Sequence, residues 1–221
     1  MNEELSGLIK TMQAQLGRKS SFEEGIRSLL QLRRILMKEM LAFQKKISPQ
    51  EFSSQPFPKA KGYHCKTVAY SLWHIFRIED IVVNSLIQRQ TQILISGDYQ
   101  NRMHAPIITT GNELNGTQIA DFSSQLDIDV LYDYIQEVDQ TTNQWLQTLS
   151  VEELKRKMTQ EDRLYLKTLQ VVSEDENASW LIDYWCGKDI AGLLKMPLSR
   201  HWIMHIEASL RIIDKIQKLN E

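Results

Sequence analysis

The stretch TVAYSLWHIFRIED, Thr67 to Asp80, decides how the rest of the chain is read. Val68, Leu72, Trp73, Ile75, Phe76 and Ile78 place apolar groups on more than one side, and Ile81, Val82 and Leu86 extend the run. A helix that is apolar on several sides is mostly surrounded by protein. The pattern predicts a long buried helix from about Cys65 to Gln92, with His74 near its middle. An imidazole in such surroundings needs a partner, because an unpaired buried polar group is costly.

Three other long helices flank this one. Ile26, Leu29, Leu30, Arg33, Leu36, Met37, Met40 and Phe43 follow a mostly apolar helical period, with Ser21 and Glu24 as a capping box at the start and Ser48-Pro49 as the stop. Val130, Leu131, Tyr134, Ile135, Val138 and Trp145 form the apolar face of a helix from about Asp127 to Leu149. The last helix follows Pro197, a residue suited to the first helical position, and runs to about Leu219. Shorter pieces complete the set. An amphipathic N-terminal segment carries Leu5, Leu8, Ile9, Met12 and Leu16. A second capping box, Ser150 with Glu153, starts a shorter helix, and Ser173 to Gly187 reads as another. Phe52 to Gly62, with Pro56 and Pro58, is a loop. Ser96 to Gln125 breaks the pattern and reads as a long crossover with one short helix near Thr117 to Ser123. The expected fold is all-α: an up-and-down four-helix bundle with a long crossover and short additional helices, one domain over 1–221, in which residues 1–20 form a peripheral helix.

Composition fits this reading. Five prolines and nine glycines in 221 residues leave too few turn formers for a β fold. A net charge of -2 gives no basic excess to neutralise phosphates, which excludes nucleic acid as an expected partner. The local basic clusters Arg33-Arg34, Lys45-Lys46 and Lys155-Arg156-Lys157 read as solvated helix faces or ends. No apolar run approaches the ~20 residues of a membrane helix. The start MNEELSGLIKTMQ lacks a signal-peptide core, and the two cysteines, Cys65 and Cys186, form no ligand or redox pair motif. A cytoplasmic protein is expected.

The chemistry rests on histidines. His201 and His205, in HWIMH, are four residues apart, so on a helix they lie one above the other and can point at one ion. The bland alternative is a pair of satisfied polar residues at a helix interface. H-E-x-x-H is absent, so a metalloprotease is not indicated, and no E-x-x-H supports a ferritin-like di-iron bundle. A catalytic divalent metal takes about three protein ligands and one open position. His74 is the candidate third ligand, the bland partner for it being a hydroxyl on a facing helix. His64 and His104 read as ordinary surface residues, although His104, in the long loop, is a candidate fourth ligand for a closed structural site.

The ordered set of TVAYSLWHIFRIED, LDIDVLYDYIQEVDQTTNQWLQTLSVEEL (Leu126 to Leu154) and LSRHWIMHIEASLRIID (Leu198 to Asp214) resembles the DinB-like superfamily, the DinB and bacillithiol-transferase-like bundles. The likeness runs from the first long helix onward. It implies that His74, His201 and His205 bind a divalent metal, commonly zinc or nickel, with water completing the shell. Characterised members of that family use low-molecular-weight thiols such as bacillithiol or mycothiol, and many members have no known activity. The expected function is a metal-dependent enzyme that transfers such a thiol to an electrophilic small-molecule substrate. The alternatives are a non-catalytic metal-binding or stress-response protein and a metal-dependent hydrolase. The family often forms homodimers, but no interface is legible in the sequence.

Other residues invite a role. Glu79 and Asp80 turn away from the face of His74 and are suited to orienting Arg77 or binding water. Arg200 is either a surface charge or an anchor for a carboxylate or thiolate. Nothing near Cys65 or Cys186 in sequence clearly lowers a thiol pKa. Trp73, Trp180, Trp185 and Trp202 are read as core or pocket wall.

Overall fold

The computed structural model describes residues 3–221, the side chains from residue 5 onward. Among these residues there is no strand, only an isolated bridge between Lys157 and Asp189. The helices are α1 (Glu3–Leu16), α2 (Phe22–Ala42), α3 (Val68–Asp80), α4 (Ile93–Ser96), α5 (Tyr99–Arg102), α6 (Thr117–Gln125), α7 (Ile128–Thr148), α8 (Gln160–Thr168), α9 (Trp180–Cys186), α10 (Ile190–Lys195) and α11 (His201–Asn220). A π-helical stretch, Ile81–Ile87, continues α3, and another, Met196–Arg200, joins α10 to α11. No helix among the described residues is long and apolar enough to cross a membrane.

The four longest elements, α2, α11, α3 with its extension, and α7, touch in a closed ring in that order. Every residue of Val68–Asp80 is buried. Thr67 starts this helix by accepting the Tyr70 N–H at 3.0 Å. On α7, Leu131, Tyr134, Ile135, Val138, Thr142 and Leu146 are buried at helical spacing, so one stripe faces the core. Helix α1 crosses α2 closely: a Cβ on Gly25 would sit 2.7 Å from the Leu16 backbone nitrogen. Met12 and Leu16 thereby join the core.

Several boundaries differ from the sequence expectation, each for a local reason. Ser21 and Glu24 do not form a capping box. The Ser21 hydroxyl donates to the Gln15 carbonyl, and Glu24 pairs with Arg27. The box at Ser150 and Glu153 does form, but it opens only a single 3-10 turn, Glu153–Lys155. The helix beyond it starts at a second box, Thr159 with Asp162. The helix expected over Ser173 to Gly187 is only α9. Upstream of it, Ser173 and Asp175 side chains accept from the backbone at Asp175 and Asn177, which competes with helix formation. The central helix stops at Ile87, short of Gln92, and Arg89 turns left-handed with φ 57°.

Buried charge holds the ring together. Arg33 was expected on a solvated face; it is fully buried instead. Its guanidinium makes a two-pronged contact with Glu79 and also donates to Asp139, Asn143 and the Leu198 carbonyl. Glu79 in addition accepts the Trp202 indole N–H at 3.1 Å. One guanidinium thus ties α2 to α3, α7 and the turn before α11. Asp80 forms a second hub. Its carboxylate accepts from Arg77, Asn84, the Tyr134 hydroxyl and the N–H groups of Ile93 and Leu94. It therefore caps the first turn of α4.

Candidate metal centre

His74 lies mid-way along α3; His201 and His205 occupy the first two turns of α11. The irregular turn before α11 aims the pair. Pro197 has no N–H to give, and the Ser199 hydroxyl donates to the Leu194 carbonyl at 2.8 Å inside the π-helical stretch. Ring centroids are 5.0 Å apart for His74–His201, 4.9 Å for His74–His205 and 4.8 Å for His201–His205. The three rings form a nearly equilateral, buried triangle. One ligand atom from each lies within 4.8 Å of the others, an arrangement able to hold a metal ion.

The hydrogen bonding fits an ion better than a closed protein network. A carbonyl can only accept, so the contact of 2.7 Å between His74 Nδ1 and the Thr110 oxygen makes Nδ1 the N–H. The lone pair of His74 is then on Nε2. His201 Nδ1 and both ring nitrogens of His205 are buried with no hydrogen-bond partner. Each such orphan costs about 1–3 kcal/mol, and a divalent cation, which takes one nitrogen from each ring, is a partner that two separate rings can share. Burial keeps the rings neutral. It pushes His74 down to about 4, with the Thr110 carbonyl opposing, and holds His201 and His205 well below the usual histidine value. Neutral imidazole is the form that binds metal.

The ring of His74 is fixed on two further sides. Tyr70, one turn earlier on α3, stacks on it at 5.5 Å, and the Tyr70 hydroxyl donates to the Gly111 carbonyl. The neighbouring carbonyls are taken in the same way. Thr109 accepts from the Trp73 indole and Ile108 from the Arg77 guanidinium. Four successive carbonyls of the crossover, 108 to 111, are therefore stitched to four side chains of α3. Tyr63 meets His205 edge-on at 4.7 Å.

The triangle forms the floor of a cavity of about 490 Å³. Tyr63, Cys65 and Lys66, from and just after the turn Gly62–Cys65, make one wall; Trp180, Tyr184 and Trp185 of α9 make another. Trp180 is 49 % exposed and marks the mouth. The cavity thus offers three candidate ligands and an open approach.

The remaining sequence candidates fall as follows. His104 is exposed in a left-handed turn and is no member of the cluster, so it is not a fourth ligand. His64 is half-buried and contacts Arg211 at 3.3 Å. Glu79 and Asp80 are committed to the buried hubs described above. Arg200 is exposed, and its charge is felt at Tyr63. Cys65 lines the cavity and its thiol donates to the Gly62 carbonyl, whereas Cys186 is buried and burial raises its pKa. Trp73 and Trp202 are core; Trp180 and Trp185 are wall. The sequence reading missed Tyr70, Lys66 and the carbonyl of Thr110. Tyr70 was accessible by spacing, since it stands four residues before His74 on the same helix face. Nothing in the sequence marks the other two. No model of a known protein family matches the chain, and no curated protein matches it.

Proposed function

We propose that this protein is a divalent-metal-dependent enzyme of the DinB-like four-helix-bundle kind, which joins a low-molecular-weight thiol to an electrophilic small molecule. The observation that carries the proposal is the set of orphaned, neutral ring nitrogens of His201 and His205 beside His74 Nε2, at the floor of an open aromatic cavity. The resemblance of the three sequence motifs supplies the reaction class. A structural metal usually has four closed protein ligands, and three with an open approach favour a catalytic site.

In this reading His74, His201 and His205 are the ligands, and zinc or nickel suits imidazole donors. A cation held there supplies Lewis acidity, which lowers the pKa of a thiol that reaches it. The Thr110 carbonyl and the Tyr70 ring hold His74 in the orientation and tautomer a ligand needs. Trp180, Tyr184 and Trp185 offer flat apolar surface to an electrophile and shield the floor from water. In the overall reaction the thiol loses its proton, its sulfur forms a C–S bond, and a halide leaves or an epoxide oxygen takes up a proton.

Elemental mass spectrometry of the purified protein, beside a His74→Ala/His201→Ala/His205→Ala variant, tests the ligand set. Near-stoichiometric metal in the wild type only is expected. The metal-loaded protein is then given bacillithiol, cysteine, coenzyme A or glutathione with a chlorodinitroarene or an epoxide. Metal-dependent thioether formation is expected with at least one thiol; none with any would sink the transferase reading.

A further inference from the structure

We propose that the cavity above the three histidines anchors a carboxylate, with the Lys66 ammonium as its counter-charge and the Asn112 amide as a second donor. This deepens the preceding function, because it names the chemical class of molecule the site selects, but it rests on the cavity and not on the metal.

Lys66 is half-buried in the cavity wall. No carboxylate forms an ion pair with it among the described residues, and none lines the cavity. Its one directional contact is with the Tyr70 ring, 4.7 Å from ammonium to centroid. Cation–π contact of this kind satisfies none of the three N–H groups. Burial disfavours the charged amine and lowers its pKa. The wall thus holds a half-buried cation against an aromatic ring, with the Cys65 thiol as its one acidic neighbour and no carboxylate to balance it, and that role is open to a ligand.

Asn112 supplies the second donor. The Thr110 hydroxyl donates to its Oδ1 at 2.8 Å, so the carbonyl end of the amide is occupied and the NH2 end is left over. Asn112 lines the same cavity. The rest of the lining is apolar or aromatic, with Leu181, Trp180, Trp185 and Met196 around the histidines. One anionic end and one flat apolar body describe the complementary molecule.

The carboxylate can be carried by the electrophile or by the thiol, and paired neutral isosteres separate the two. 4-Fluorobenzoate is compared with 4-fluorobenzamide by 19F NMR titration, and N-acetylcysteine with its methyl amide by displacement of the fluorinated probe. Both pairs are run on metal-loaded and chelator-treated wild type, and on Lys66→Met and Lys66→Arg, each checked for an unchanged melting profile. At least ten-fold tighter binding of one acid than of its amide is expected in wild type with or without metal. That preference should vanish in Lys66→Met and partly return in Lys66→Arg. A preference within the arene pair assigns the anchor to the electrophile; one within the cysteine pair assigns it to the thiol. Equal binding in both pairs, a preference that survives Lys66→Met, or one that disappears when metal is removed would overturn the proposal. Persistence in metal-free protein keeps this result separate from any failure of the metal assignment.

Discussion

The Nδ1 of His74 donates to the carbonyl oxygen of Thr110 at 2.7 Å. The contact spans 36 residues of sequence and fixes the tautomer of a buried imidazole from a segment with no regular structure. In neutral, metal-free protein, long-range proton–nitrogen correlation spectra should show His74 protonated on Nδ1. A ring protonated on Nε2 would contradict the ligand assignment.

The crossover also gives the contact a point of attack. Gly111 has φ +78°, and a Cβ there would sit 3.1 Å from the Tyr70 ring. Gly111→Ala therefore strains a left-handed position by about 1 kcal/mol and shifts the carbonyls that grip His74 and Tyr70. Loss of such outer-shell support typically costs about 10–100-fold in metal affinity. Competition against a chromogenic chelator measures it, and an affinity equal to wild type would show that the crossover carries no such load.

Acid should weaken the metal-free protein before most carboxylates titrate. The unfolded chain takes up a proton on each of the three histidines as pH falls through about 6.5. The folded state resists, because burial holds His74 near 4 and the other two well below their usual value. The unfolded state then binds more protons, so stability is full above about pH 6.5 and declines as pH falls toward 4. His74 alone accounts for on the order of 3 kcal/mol across that window. Urea midpoints of chelator-treated protein at pH 7.5 and 5.0 should differ accordingly, and the difference should shrink in His74→Ala. Equal midpoints would mean the rings are solvated.

Arg33→Ala should cost about 3–5 kcal/mol, because it strands the buried Glu79 carboxylate with the Trp202 indole as its remaining strong donor. The double variant Arg33→Met/Glu79→Leu removes both charges and should lose less than Arg33→Ala alone. Urea denaturation compares them. A double variant as damaged as the single would show that packing, not stranded charge, sets the cost.

Asp80→Asn replaces an all-acceptor group with one that brings two donors into a site already full of donors. A loss of about 3 kcal/mol is expected. Hydrogen exchange at the Ile93 and Leu94 amides should accelerate more than exchange in α7. Unchanged protection at those two amides would remove Asp80 as the cap of α4.

How much of this was legible beforehand varies by element. The central helix was readable because its apolar residues cover more than one side, and α7 because its stripe keeps a helical period over about four turns. His74, His201 and His205 were readable as candidates because one is a polar residue in an apolar helix and two share a helix face. Arg33 was misread because sequence shows its charge and its place in a helical stripe, but not Glu79 and Asp139 on other helices. The failed box at Ser21 has the same origin, since Gln15, which takes the serine hydroxyl, belongs to the preceding helix.

The sequence by itself determined an all-helical chain and the three histidines on two of its helices, since both follow from local periodicity and the i, i+4 rule. Only the tertiary structure decided that the three rings meet, that buried nitrogens of His201 and His205 lack protein partners, and that Lys66 faces a cavity lined by no carboxylate. Those properties depend on distances between residues far apart in the chain, such as His74 and Thr110 or Arg33 and Glu79. Periodicity reports which face of a helix is buried; it carries no information about what that face is buried against.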